Sequence, residues 1–251
     1  MKISVLFFSV TLLMACGGKT ETNTTQATNT AAVANLSTTE SSSPGAGTCL
    51  LTYQTKMDEA LPLNTIKKYY TGDFSKAELE YRKSEKYAEH DTYKYEWPTG
   101  TTTTREVMGM KVNTPDVYTI GLMWIEEVSE KYHPDAKAYF RQMYHTPTPD
   151  ELKRAKEYMD KQLDKKMAEK GLSGTAQKAG KATAGTLMNR KIEFDPVAGL
   201  GDAASWDVPA SELHVLKGRT MFRVMANVGP DKVANLDLAK KLAASVLARC
   251  P

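Results

Sequence analysis

Apolar residues along this chain first mass together, then vanish, then return with regular spacing. Ile3 to Met14 is a twelve-residue stretch rich in Val, Leu, Phe, Ile and Met behind Met1–Lys2. Residues 17–47 hold eight threonines, three charged residues (Lys19, Glu21, Glu40) and no core-forming periodicity. From Thr48 onward, apolar positions recur with the periods of helices and strands. A helix starting at Thr52, a good N-cap, puts Met57, Ala60 and Leu61 on one face and stops before Pro62. Ser75-Lys76-Ala77-Glu78 has the spacing of a capping box and predicts a polar helix to about Tyr87, with a strand over Leu79–Tyr81 as the alternative.

The period then changes to two. Tyr93, Tyr95 and Trp97 alternate with Thr92, Lys94 and Glu96 until Pro98, a strand signature. Thr101–Val112 and Val117–Trp124 read as further strands separated by a Pro115-Asp116 turn. Residues 135–191 read as helical. Asp135–Tyr144 aligns Ala136, Phe140 and Met143. Thr148-Pro149-Asp150-Glu151 then opens a helix with Leu152, Ala155, Met159, Leu163 and Met167 as its stripe, closed by Gly171. An Ala/Gly-rich helix is expected from Ser173 to Met188. Ile192–Phe194 reads as a short strand and Val197–Ala204 as a glycine-rich turn with room for one helical turn. Glu212–Lys217 and Arg219–Val228 form a hairpin through Lys217-Gly218. A last helix, capped by Asp231 or Asn235, buries Leu238, Leu242 and Val246. Antiparallel strands interrupted by helices predict an α+β fold, an antiparallel sheet with packed helices and a helical insertion at about 125–190.

The N-terminal run is too short for a bilayer-spanning helix, which needs about 20 residues. It suits a signal-peptide core instead. Leu13-Met14-Ala15-Cys16 resembles the lipobox of bacterial lipoproteins, which implies cleavage after Ala15, lipidation at Cys16 and membrane attachment through the lipid. The expected organisation is a signal peptide over 1–15, a lipidated Cys16 with a flexible tether over 16–47, and one globular domain over 48–251. As a random coil the tether's ends would sit about 30 Å apart.

Cleavage removes Lys2 and no acid, so the formal charge of +3 falls to +2. That is too small a surplus to imply nucleic acid. With Cys16 spent on lipid, Cys49 and Cys250 remain. In an oxidising compartment an even pair invites a disulfide clasping the two ends of the domain, the alternative being two separate buried thiols. Between Pro149 and Lys191 there are eleven Lys/Arg against six Asp/Glu. Such runs are ordinarily solvated helix faces. A docking surface for an anionic lipid, an acidic polysaccharide or an acidic partner is the functional alternative, with Lys153, Lys161, Lys165 and Lys166 as its candidates.

Three segments carry a family likeness: Cys-Leu-Leu-Thr at 49–52, Tyr95-Glu96-Trp97 at a strand end, and Val-Ala-Gly-Leu-Gly-Asp-Ala-Ala-Ser-Trp from Val197 to Trp206. With the hairpin and last helix that follow, this order resembles a group of bacterial lipoproteins of unknown function. Their domain is similar to the α-β-α sandwich of the photosystem II extrinsic subunit. The resemblance covers most of 49–251 and implies that same sandwich. It carries over no catalytic residue. In such proteins a cysteine beside the tyrosine–tryptophan strand would pair with the first one, whereas Tyr93 and Tyr95 stand there in this chain.

Candidate chemistry is sparse. Gly174 to Gly180-Lys181 has one residue too many between its glycines for a phosphate loop, and Ala182 stands where a hydroxyl is needed. Gly199-Leu200-Gly201-Asp202 reads as a tight turn between strand and helix rather than an anion cradle. His90, His133, His145 and His214 form no HExxH pair and no zinc-spaced cluster, so neither a metal nor a cofactor is expected. Asp135 after His133 reads as a helix cap. Tyr118, Trp124 and Tyr132 are expected in the core. No GxSxG elbow surrounds a serine. The expectation is a non-enzymatic envelope module that binds an unidentified envelope protein or anionic polymer, at the outer membrane. The alternatives are a hydrolase of an envelope polymer, with His133 or His145 as base, and a structural spacer.

Overall fold

The computed structural model describes residues 47–250 apart from 108–109, 170, 172–173 and 175–190. Seven strands form one sheet: β1 (Glu78–Arg82), β2 (Thr92–Val107), β3 (Met110–Glu127), β4 (Phe194–Pro196), β5 (Ala203–Asp207), β6 (Glu212–Lys217) and β7 (Thr220–Asn227). Their order is β1-β2-β3-β7-β6-β5-β4, and every neighbouring pair is antiparallel. Two meanders, β1–β3 and β4–β7, therefore meet where β7 joins β3. Among the described residues the α-helices are α1 (Met57–Ala60), α2 (Leu63–Tyr69), α3 (Ala136–Met143), α4 (Pro149–Glu169) and α5 (Lys232–Leu247). The fold class is α+β.

Strand alternation divides the apolar residues between two clusters. The larger joins Tyr93, Ile120, Leu122, Trp206, Leu213, Val215, Phe222 and Val224 to Leu50, Met57, Leu61 and Ile66 and to Leu238, Leu242 and Val246 of α5. The smaller joins Ala136 and Phe140 of α3 to Val128, Leu216 and Met221. In β7, Phe222 and Val224 belong to the first cluster and Met221 to the second, so this central strand is buried on both sides. Asp231 caps α5, accepting the Val233 and Ala234 amides at 2.9 and 3.1 Å.

Several sequence expectations give way. The Thr52 helix is instead a 3-10 turn over Thr48–Tyr53 followed by α1, although Met57, Ala60 and Leu61 are all buried as their spacing required. The helix does stop before Pro62, at Ala60, and Pro62 then stands at the N-cap of a second helix, α2. No helix starts at Ser75. The Asp73 carboxylate accepts that residue's N–H at 2.8 Å and hydroxyl at 2.9 Å, which turns the chain into β1. Tyr81 favours the strand: its ring packs 5.3 Å from that of Tyr93. Its hydroxyl accepts the Met57 N–H at 2.9 Å and donates to the Thr55 carbonyl at 3.1 Å.

Neither proline ends its strand, and Pro115-Asp116 is no turn. β2 and β3 make one long hairpin in which Pro98 faces Val117 and Pro115 faces Thr102 across a register shift. Among the described residues this stretch pairs with no third strand. A proline's missing donor is tolerated in such an edge position. The Thr101 and Thr103 hydroxyls donate to Asp116 at 2.9 and 2.7 Å and cross-link the ribbon.

The helical insertion holds α3 and α4, but residues up to Glu127 belong to β3. At the start of α4, the Thr148 hydroxyl accepts the Glu151 N–H at 3.3 Å, and the Glu151 carboxylate accepts the Thr148 N–H at 2.8 Å. Donation from the Thr148 N–H first, then from its hydroxyl and from His145, holds the Glu151 carboxyl down at about 2. Along the α4 stripe Met167 is buried, Ala155, Met159 and Leu163 are half-buried, and Leu152 is exposed. The helix expected over Ser173–Met188 and the Gly174–Lys181 segment lie almost wholly outside the described residues. No helical turn forms in 197–202. There Gly199 and Gly201 take φ values of 75° and 60°, and a Cβ on Gly201 would strike the Leu216 carbonyl. That segment therefore turns between two strands, β4 and β5. Tyr132 is 67% exposed rather than in the core, whereas Tyr118 packs against Trp97 at its edge.

Candidate functional site

Cys49 and Cys250 come together, with Cα atoms 5.7 Å apart, inside the range a disulfide requires, and their sulfurs face each other at bonding distance. Gly47, just before Cys49, lies against the Lys217 carbonyl with φ 90°, so a side chain there would collide with the β6–β7 hairpin. Cys16 lies outside the described residues.

The four lysines singled out on α4 are all exposed. At about 100° per residue, Lys153, Lys161 and Lys165 share an arc with Arg154, while Lys166 sits one step round from Lys165. Asp150, Glu157 and Asp164 fall on that same arc. The face is one of mixed charge, not a continuous basic patch.

A better-formed concavity lies beside α3. Asp135 caps this helix by accepting the Ala138 N–H at 2.9 Å, and Ala136 and Phe140 anchor it to the sheet. That anchoring turns Lys137, Arg141 and His145, spaced four residues apart, toward a cleft of about 420 Å³, a size typical of small-ligand sites. The opposite wall is the glycine-rich segment through Leu200 and Gly201, and Tyr144, Phe194 and Ser205 line the cleft between the walls. Cross-bonds fix the two walls. The Thr146 hydroxyl accepts the Phe194 N–H at 2.8 Å and donates to the Phe194 carbonyl at 2.9 Å, while the Ser205 hydroxyl donates to the Tyr144 carbonyl at 2.9 Å.

Behind Tyr144 is a buried polar cluster. His214 stacks on the Tyr144 ring at 4.2 Å, with Phe194 at 5.7 Å, and is 3% exposed. Neither of its ring nitrogens has a hydrogen-bond partner among the described residues. Burial first, and then the Arg223 charge, push its pKa down to about 3, so the ring is neutral at ordinary pH. Arg223 faces it across the β6–β7 pairing. The guanidinium lies over the Trp124 ring at 3.9 Å, within cation–π range, and reaches the Tyr144 hydroxyl at 3.5 Å. Trp124 gets there through a bulge in β3 at which it adopts φ 55°, a region costly for a bulky side chain. Burial raises the Glu126 carboxyl, with Arg223 opposing.

Ser205 and His214 are register partners on β5 and β6, yet the serine hydroxyl donates to a carbonyl and not to the imidazole. The nucleophile–base bond of acyl-transfer chemistry is thus not made. His133 stacks on Tyr139 at 3.8 Å. His145 contacts the Gln142 carbonyl at 2.8 Å and Glu151 at 3.3 Å. Among the described residues no three His, Cys, Asp or Glu side chains could hold a metal ion, and no helix is long and apolar enough to cross a membrane.

Neither the α3 cleft nor the His214–Arg223 cluster is marked by a charge excess or by a motif in the sequence. A signal existed: Lys137, Arg141 and His145 recur at the period of one helix face, and the hairpin through Gly218 already sets His214 opposite Arg223. Compared with protein-family models, curated proteins and solved structures, the chain matches none of them.

Proposed function

We propose that this chain is a cell-envelope lipoprotein, cleaved before Cys16, lipidated there, and working as a non-enzymatic binding module held at the membrane by its lipid. The observation that carries the reading is the Leu13–Cys16 box with the threonine-rich tether behind it, leading to a domain that opens at Gly47. The closeness of Cys49 and Cys250 supports an oxidising compartment, where such a pair closes into a disulfide. Apolar clusters on both sides of the sheet support an α-β-α sandwich of the kind found in the lipoprotein family that the sequence resembles. The outer membrane is the proposed site of anchoring, because Gly17 is not the Asp that retains lipoproteins in the inner membrane of enteric bacteria.

Cells fed a labelled fatty acid should label the wild-type chain and leave Cys16→Ser unlabelled. Equal labelling of the two would remove the anchor from the proposal. In vivo cross-linking tests the binding module: a dominant envelope partner supports it. Turnover of a cell-wall polymer by the purified protein would favour a hydrolase instead.

A further inference from the structure

We infer that the cleft between α3 and the glycine-rich segment binds a small amphipathic anion, its charged head on Lys137 and Arg141 and its apolar body along Tyr144, Phe194 and Leu200. The inference deepens the reading of the domain as a binding module and rests on it. Lys137 and Arg141 stand one helical turn apart, on the border of the cleft. Neither is ion-paired among the described residues, in contrast to Lys94 with Glu80 and Glu96, or Lys217 with Asp202. The acid that lines the cleft, Asp202, already accepts the Gly218 N–H and faces Lys217 at 3.6 Å. Among the described lining residues, therefore, no acid is left over as a counter-charge for the two cations.

The remaining lining selects what accompanies the negative charge. Ser205 and Thr146 have spent their hydroxyls on backbone partners. Between the rim and the sheet the surface is made by Phe140, Tyr144, Phe194, Val197 and Leu200. A compact hydrated ion would gain nothing from such walls, and a neutral hydrocarbon would leave both cations unused. A carboxylate or phosphate monoester on a short alkyl chain uses both parts. A guanidinium and an ammonium one turn apart suit an oxyanion head with several acceptor oxygens.

The purified full-length Cys16→Ser chain titrated with octanoate, octyl phosphate and octanol provides the test, followed by calorimetry. Saturable one-to-one binding of at least one anion is expected, with octanol weaker by roughly tenfold or more. Lys137→Glu with Arg141→Glu should abolish that binding without changing the melting temperature, since both side chains are exposed. Lys153→Glu with Lys161→Glu on α4 should leave it intact. Failure of both anions to bind, octanol binding equally well, or equal losses from the α3 and α4 pairs would each overturn the inference. Failure here alongside a dominant cross-linked partner would discard the cleft and keep the binding module. Absence of such a partner would count against the module itself.

Discussion

The least comfortable residue in the molecule is His214. It is almost fully buried, stacked on Tyr144, and beside Arg223, with no hydrogen-bond partner for either ring nitrogen among the described residues. Its pKa in the folded state, about 3, lies well below the ordinary histidine value of about 6.5. Below pH 6.5 the unfolded chain binds a proton that the folded one refuses. This contribution to stability is therefore lost as pH falls from 6.5 toward 3, by at most about 1.4 kcal/mol per pH unit. Replacing His214 with Leu removes the proton site while keeping a buried side chain. Urea midpoints at pH 7 and 4.5 should then lie closer together in His214→Leu than in wild type. Parallel shifts in the two proteins would place the acid sensitivity elsewhere.

At the scale of elements, legibility followed the range of the interactions that decide each one. α3, α4 and α5 were readable because their caps and stripes are local: Asp135, Thr148–Glu151 and Asp231 each make the bonds their positions announced. β1 was legible only as the alternative over Leu79–Tyr81, because a capping-box spacing at Ser75 competes with Tyr81 bonding to residues about twenty-five positions earlier. Tyr81→Phe should accordingly cost about 1–3 kcal/mol, since it strands the buried Met57 amide as well as losing the bond itself. A chemical denaturation curve indistinguishable from wild type would show that β1 is held by pairing with β2 alone. The two prolines misled for a related reason, since in a ribbon that pairs with no third strand a proline interrupts no outer ladder. The α3 cleft depends on residues 194–205 returning to Tyr144, which no local pattern encodes. For α4, acids interleaved among its lysines lead to a modest expectation. Reversing Lys153, Lys161, Lys165 and Lys166 together should change retention on anionic vesicles less than about tenfold at physiological salt, where screening acts over about 8 Å. A larger loss would restore that face as a docking surface.

At the scale of the whole molecule, the two cysteines dominate. A bridge closing a separation of 201 residues would contribute about 5 kcal/mol through chain entropy. Reductant, or Cys250→Ser, should lower the melting temperature, and the end of α5 should be the first place to lose amide protection. Recovery of both cysteines as alkylatable thiols from the unreduced protein would sink this. With the bridge in place the domain also acquires a mechanical character. Tension applied to the chain at Gly47 meets Cys49 almost at once and divides there, and everything from Cys49 to Cys250 lies within a closed covalent ring. A pull on the chain at Gly47 would load the corner where that residue lies against the β6–β7 hairpin, while the strands inside the ring could not be drawn out one after another. Under such a load the ring would hold the sheet together as one closed body.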